Sequence, residues 1–136
     1  MPEIPPLLPV PDERSAPFFD GAFAGRLMLQ RCKACARWLH PVRTRCTACG
    51  GAEIEWAAAS GRARLYSWGL LRRAYHPDHE RKLPLRLAVV DLEEGVRMSS
   101  KLVDVEPAAI RCGMALEVAF ERLSDETAVP VFRPAR

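Results

Sequence analysis

The chemistry open to this chain starts with its thiols. Cys32 and Cys35 are separated by two residues, as are Cys46 and Cys49, and ten residues lie between the pairs. Tetrahedral zinc needs four soft ligands at about 2.3 Å, and two Cys-x-x-Cys knuckles on facing hairpin ends supply them without a large core. The expectation is one Zn2+ per chain. Such a site contributes on the order of 10 kcal/mol to folding, more than so short a segment gains from burial. Four thiolates also fill the coordination sphere, so the ion is expected to be structural, with no position left for substrate or an activated water. The competing readings are two local disulfides or a redox motif. A redox pair normally stands alone before the helix of a βαβ unit, and here there are two pairs.

Gly50 follows the second knuckle, where backbone N–H groups must turn toward sulfur, and Ala36 stands at the matching point of the first. A left-handed alanine there costs on the order of 1 kcal/mol. Around these thiols lie Arg26, Arg31, Lys33, Arg37, Arg43 and Arg45, and residues 21–50 contain no Asp or Glu. A tetrathiolate zinc carries a formal charge of −2 that nearby cations screen. The same cations suit a phosphorylated ligand or an acidic partner surface.

Other candidates are weaker. His76 and His79, beside Asp78 and Glu80, suggest a second metal site or a general base, but no third ligand is fixed and the stretch reads as an exposed strand connection. His40 precedes Pro41 and competes with cysteines that already satisfy the zinc. Cys112 reads as a packing residue, because free cysteine is usually buried. Arg62, Arg64, Arg72, Arg73, Arg81, Lys82 and Arg86 alternate along a strand and its connection, as a solvated face would.

The elements that must position these groups fit one small domain with a metal-stapled appendage. The 136 residues are 49% hydrophobic and 27% charged, which excludes a mainly disordered chain. The net charge of +3 is well short of a dedicated nucleic-acid binder. No apolar run reaches membrane-span length and the start lacks the features of a secretory signal, so a cytoplasmic protein is expected, with its cysteines reduced.

The opening "PEIPPLLPVP" is too rich in proline for a helix or an interior strand. A short helix is expected after it, capped by Asp12 or Ser15, with Pro17 in the first turn and Gly25 at its end. Phe18, Phe19 and Phe23 on that helix either plug the chain's own core or lie on a partner. Five short strands follow the cysteines, with Gly95 in a hairpin turn and Pro107 opening a short helical connection. Strands in that number, without room for parallel crossovers, predict a small antiparallel barrel of OB type.

Read in order, "PFFDGAFAGRLMLQRCKAC", "HPVRTRCTACGG", "SGRARLYSW", "DLEEGVR" and "CGMALEVAFE" resemble the acyl-CoA-associated zinc-ribbon/OB-fold family known as domain of unknown function 35. The resemblance covers nearly the whole chain. It implies a mainly β protein: an N-terminal helical arm (1–28), a rubredoxin-like zinc ribbon (29–56) and a C-terminal five-stranded OB-fold barrel (57–136). It further implies a non-catalytic accessory subunit of a thiolase-fold or related acyl-CoA enzyme complex performing Claisen, retro-Claisen, acyl-transfer or retro-aldol chemistry. In that setting the small subunit completes the partner's assembly and helps accommodate the CoA ester. The residues facing partner or CoA are then expected among Phe18, Phe19, Phe23, Arg62, Arg64, Trp68, Arg72, Arg73 and Tyr75, with Trp68 and Tyr75 able to stack on adenine. A different class of function is a single-stranded nucleic-acid-binding module, since zinc ribbons and OB-folds both recur there. The acidic C-terminal third weighs against it.

Overall fold

The computed structural model describes residues 7–80 and 82–136. The first six residues of the expected proline arm, and Arg81 of the basic set, lie outside the described residues. Residues 7–11 carry neither helix nor strand, as their prolines require. Asp12 then builds a tight turn, its carboxylate accepting the N–H groups of Arg14 and Ser15 at 2.9 Å. That turn launches helix α1 (Ala16–Phe23), with Pro17 in its first turn. Gly25, at φ +80°, ends it.

Strand β1 (Met28–Cys32) pairs antiparallel with β2 (Trp38–Leu39) on one side and β3 (Ile54–Ala58) on the other, forming a three-stranded ribbon. Its apolar core is small: Cys32, Leu39 and Cys46, with Ile54 packed against them. The chain then crosses at Gly61, φ +83°, where an added Cβ would lie 2.5 Å from Val118 Cγ1. Only glycine combines that backbone with that contact.

Five strands form the second sheet: β4 (Arg62–Leu71), β5 (Leu85–Leu92), β6 (Arg97–Lys101), β7 (Ala115–Arg122) and β8 (Ala128–Pro134). Their spatial order is β6-β5-β4-β7-β8, all neighbours antiparallel. A bulge at Tyr66, between the pairs Leu65–Val90 and Ser67–Val89, bends β4 so that it serves both halves. The sheet closes where Leu102 meets Phe132 in parallel, with the Val103 N–H donating to the Phe132 carbonyl at 2.9 Å. This is the expected OB-type barrel.

Inside it, Leu29, Leu65, Val90, Leu102, Leu116 and Phe132 are almost wholly excluded from solvent. Inward residues alternate with outward ones along β4, where Ala63 and Leu65 are buried while Arg62, Arg64 and Tyr66 are exposed. Gly95, φ +93°, makes the β5–β6 hairpin turn, and a 3-10 turn at Pro107–Ala109 precedes β7. Helix α1 contacts β1, β7 and β8, and so bridges ribbon and barrel.

Two expectations change. Cys112 is exposed on the turn before β7 and packs no core. The connection containing His76 and His79 includes a short helix α2 (Pro77–Glu80) whose Asp78 is only 5% exposed. That carboxylate turns inward because it accepts the Leu7 N–H at 3.0 Å and pairs with Lys82 at 3.2 Å. No helix among the described residues is long and apolar enough to cross a membrane.

Candidate metal centre and neighbouring surfaces

Two matching backbone loops present the four sulfurs. In the first, the Ala36 N–H donates to the Cys32 carbonyl at 2.9 Å and the Cys32 N–H to the Arg37 carbonyl at 2.8 Å. The second repeats this: Gly50 N–H to the Cys46 carbonyl at 3.0 Å, Cys46 N–H to the Gly51 carbonyl at 2.9 Å. Each loop closes through a left-handed residue, Ala36 at φ 64° and Gly50 at φ 74°. The first cysteine of each pair is buried and the second exposed, which puts the sulfur cluster at the rim of the ribbon.

The donor set fits one tetrahedral ion. The Sγ atoms of Cys32 and Cys49 are 3.6 Å apart, as are those of Cys35 and Cys46, and all four lie within 4.8 Å of one another. A tetrahedron of sulfurs about 2.3 Å from its centre has edges of about 3.8 Å. Each short edge joins one knuckle to the other, so an ion at the centre ties the two loops together. Backbone donors already favour thiolate at one corner: the N–H groups of Cys49 and Ala48 hold Cys46 down to about 6. At Cys49 the Gly51 N–H acts in the same direction, but hydrogen bonds shared with Cys32 and Cys35 outweigh it and push that thiol up to about 11. Four thiolates this close repel one another, and a divalent cation between them removes the conflict. The cysteines are therefore positioned to bind one metal ion in a zinc ribbon, with all four ligands supplied by protein.

The nine other candidates are spread over three places. Phe18 is half-buried and packs on the barrel core, edge-on to Phe19 at 5.1 Å and 5.7 Å from the His40 ring. Phe23 is half-buried with the Arg122 guanidinium 4.2 Å from its ring. All three phenylalanines lie on α1, the helix that contacts β1 of the ribbon and β7 and β8 of the barrel. Arg62 and Arg64 lie on the outer face of β4, the first paired with Glu93 at 2.7 Å and the second donating to the Gly113 carbonyl at 3.0 Å. Trp68, Arg72, Arg73 and Tyr75 belong to the far end of β4 and the connection leaving it. Trp68 is half-buried against the core, while Tyr75 is 86% exposed with the Arg73 guanidinium 5.9 Å from its ring.

His76 and His79 are 5.9 Å apart by ring centroid, and His76 Nδ1 accepts the Asp78 N–H at 3.1 Å. Among the described residues, only the four cysteines gather three or more ligand atoms. Sequence reasoning missed a groove of about 470 Å³ at the mouth of the barrel, walled by Leu85, Leu87, Met98, Val131 and Phe18, with His40 and His79 at its edge. Burial there holds His40 below its ordinary value. The groove joins residues from six separate helices and strands and from the loops between them, so no local motif announces it. Gln30, buried on β1, was missed as well: its side-chain amide grips both backbone polar groups of Arg43 at 2.7 and 3.0 Å.

Known proteins give the same two-part picture. Residues 19–55 match the family described as "ChsH2, rubredoxin-like zinc ribbon domain", and residues 56–121 match "ChsH2, C-terminal OB-fold domain". The chain is 34% identical to the "Probable enoyl-CoA hydratase alpha subunit" of Thermomonospora curvata over 93% of its own length, and spans 39% of that protein. It is 32% identical to a "DUF35 domain-containing scaffold protein" of Methanocaldococcus jannaschii, covering 71% of this chain and 68% of that one. A solved structure named "Ltp2-ChsH2(DUF35) aldolase" superposes with a TM-score of 0.85 at 34% identity, over 94% of this chain and 99% of the other.

Proposed function

The chain belongs to the DUF35 zinc-ribbon/OB-fold family, and from that premise we propose that it is the non-catalytic small subunit of a thiolase-like or aldolase acyl-CoA enzyme complex. The observation that carries the proposal is the close superposition on nearly all of a chain solved as part of an Ltp2-ChsH2(DUF35) aldolase. A hydratase alpha subunit and a scaffold protein among the relatives agree with a role in assembly.

The chemistry of the chain supports that role. Its four cysteines form a complete ligand set, so a bound ion would serve as a clip, with no open position for Lewis-acid chemistry. Helix α1 with Phe18, Phe19 and Phe23, and the basic and aromatic residues Arg62, Arg64, Trp68, Arg72, Arg73 and Tyr75, are the surfaces proposed to meet the partner and its CoA ester. A cytoplasmic setting is proposed because it keeps four neighbouring thiols reduced for metal.

Affinity purification of the full chain from its own cells tests this. A larger acyl-CoA enzyme subunit should co-elute in a fixed ratio, and the chain alone should leave acyl-CoA thioesters unchanged. Turnover by the chain alone, or a chain that elutes as a lone monomer from cells that express it, would overturn the proposal.

A further inference from the structure

Between the turn that leads into α1 and the loop that carries the second knuckle lies a basic hollow of about 310 Å³. Arg14, Arg43 and Arg45 line it with Val42, Thr44 and Thr47. Five other cations of this molecule, Arg62, Lys82, Arg97, Lys101 and Arg133, sit in ion pairs, whereas none of these three arginines does among the described residues. Asp12, two residues before Arg14, accepts the backbone N–H groups of Arg14 and Ser15 with its carboxylate and forms no ion pair with the Arg14 guanidinium. Glu13 is exposed and makes no ion pair among the described residues.

The hollow is held in shape. The buried Gln30 amide fixes the Arg43 backbone from both sides, and the Arg45 guanidinium is tethered by one hydrogen bond to the Gly50 carbonyl at 3.1 Å. Screening of the metal site does not use up this charge. Residues 21–50 carry six cations and no carboxylate, and a tetrathiolate zinc offsets two of them. Arg14 adds a seventh from a separate segment.

We propose that this hollow binds a phosphate group. Guanidinium forks match the tetrahedral oxyanion and hold it by charge-assisted hydrogen bonds, and the two threonine hydroxyls add neutral donors. The phosphate comes either as a free inorganic anion or on a nucleotide such as CoA. Only the second source rests on the function proposed above; the site itself needs no partner.

The test is calorimetric titration of the full zinc-loaded chain at low salt with inorganic diphosphate, CoA and pantetheine. Diphosphate and CoA should bind, and pantetheine, which lacks phosphate, should give no heat. Arg14→Gln with Arg43→Gln should weaken diphosphate about 100-fold, about tenfold for each charge-assisted contact. Lys33→Gln with Arg37→Gln, which removes equal charge from the ribbon outside the hollow, should change affinity less than about threefold. Zinc content and circular dichroism check that each variant is folded, and amide shifts of Thr44 and Thr47 on adding diphosphate locate the site in the unaltered chain. Tighter binding of CoA than of diphosphate assigns the phosphate to a nucleotide, and equal binding assigns it to the free anion. Absence of diphosphate binding, its survival in the Arg14/Arg43 variant, or heat from polyglutamate or an oligonucleotide but not diphosphate would overturn the proposal. A chain that takes diphosphate yet recruits no partner would remove the subunit reading and leave this site standing.

Discussion

The ribbon and the barrel reach a fixed structure by different means. The ribbon buries three residues in its core, two of them metal ligands, and its strands β1, β2 and β3 run to five residues at most. The barrel's core holds twelve buried residues, ten of its own with Leu27 and Leu29 from the start of the ribbon packed in, and its sheet closes on itself. Apolar burial suffices for the barrel, at roughly 1.5–3 kcal/mol per large side chain. The ribbon has too little to bury, so its order depends on the bond between sulfur and metal.

That contrast is most sharply tested by taking the metal away. Chelation, or Cys46→Ser, should cost the ribbon on the order of 10 kcal/mol and lower the metal content from one ion per chain to none. Hydrogen exchange should then lose protection over residues 28–58 while residues 62–134 keep theirs. Equal loss in both regions would show that the barrel leans on the ribbon. The converse change is Phe132→Ala, which empties a fully buried position beside the barrel's closing seam. A cost of about 3–5 kcal/mol is expected in denaturant unfolding, with zinc content unchanged.

Gly61→Ala tests the hinge between the two. Its left-handed backbone and the 2.5 Å approach to Val118 predict about 2 kcal/mol of destabilisation, read as a lower midpoint in urea. Within the ribbon, the knuckles invite a paired experiment. Ala36→Gly should stabilise the metal-loaded chain by up to about 1 kcal/mol, and Gly50→Ala should destabilise it by about the same. Opposite signs would show that the two loops are mechanical equivalents.

The smallest effect concerns the arm. Asp78 is held below its ordinary value of 3.8, first by the Leu7 N–H and then by Lys82 against the opposing effect of desolvation. A depressed carboxyl contributes stability fully above its unfolded value and loses it as pH falls through the lower, folded one. Protection of the Leu7 amide should therefore be constant from neutral pH down to about pH 4 and fall below it. Asp78→Asn should show no such step.

What could be read in the sequence depends on distance along the chain. The zinc ligands, Gly50 and Ala36 were legible because a knuckle is a local object: its hydrogen bonds span four or five residues, Cys32 to Ala36 and Arg37. Gly95 and Pro107 were legible for the same reason, each setting a turn by its own backbone. The five strands were legible from alternation, as with Ala63 and Leu65 facing in between Arg62, Arg64 and Tyr66. By contrast, Asp78 is buried because of a backbone group 71 residues away, and Gln30 because of a loop 13 residues on. Neither residue type predicts burial, and no neighbour in sequence hints at the partner. The groove escaped for that reason too. Its walls are single side chains that meet only once the sheet has curled.

The seam between Leu102 and Phe132 also orders events in time. As the polypeptide leaves the ribosome, everything the ribbon's sheet and knuckles require has emerged by Ala58, whereas the barrel stays an open ladder until the strand ending at Pro134 is free. Metal capture can thus precede closure. The newborn molecule acquires its inorganic clip while the strands that will later shelter Phe132 are still being made.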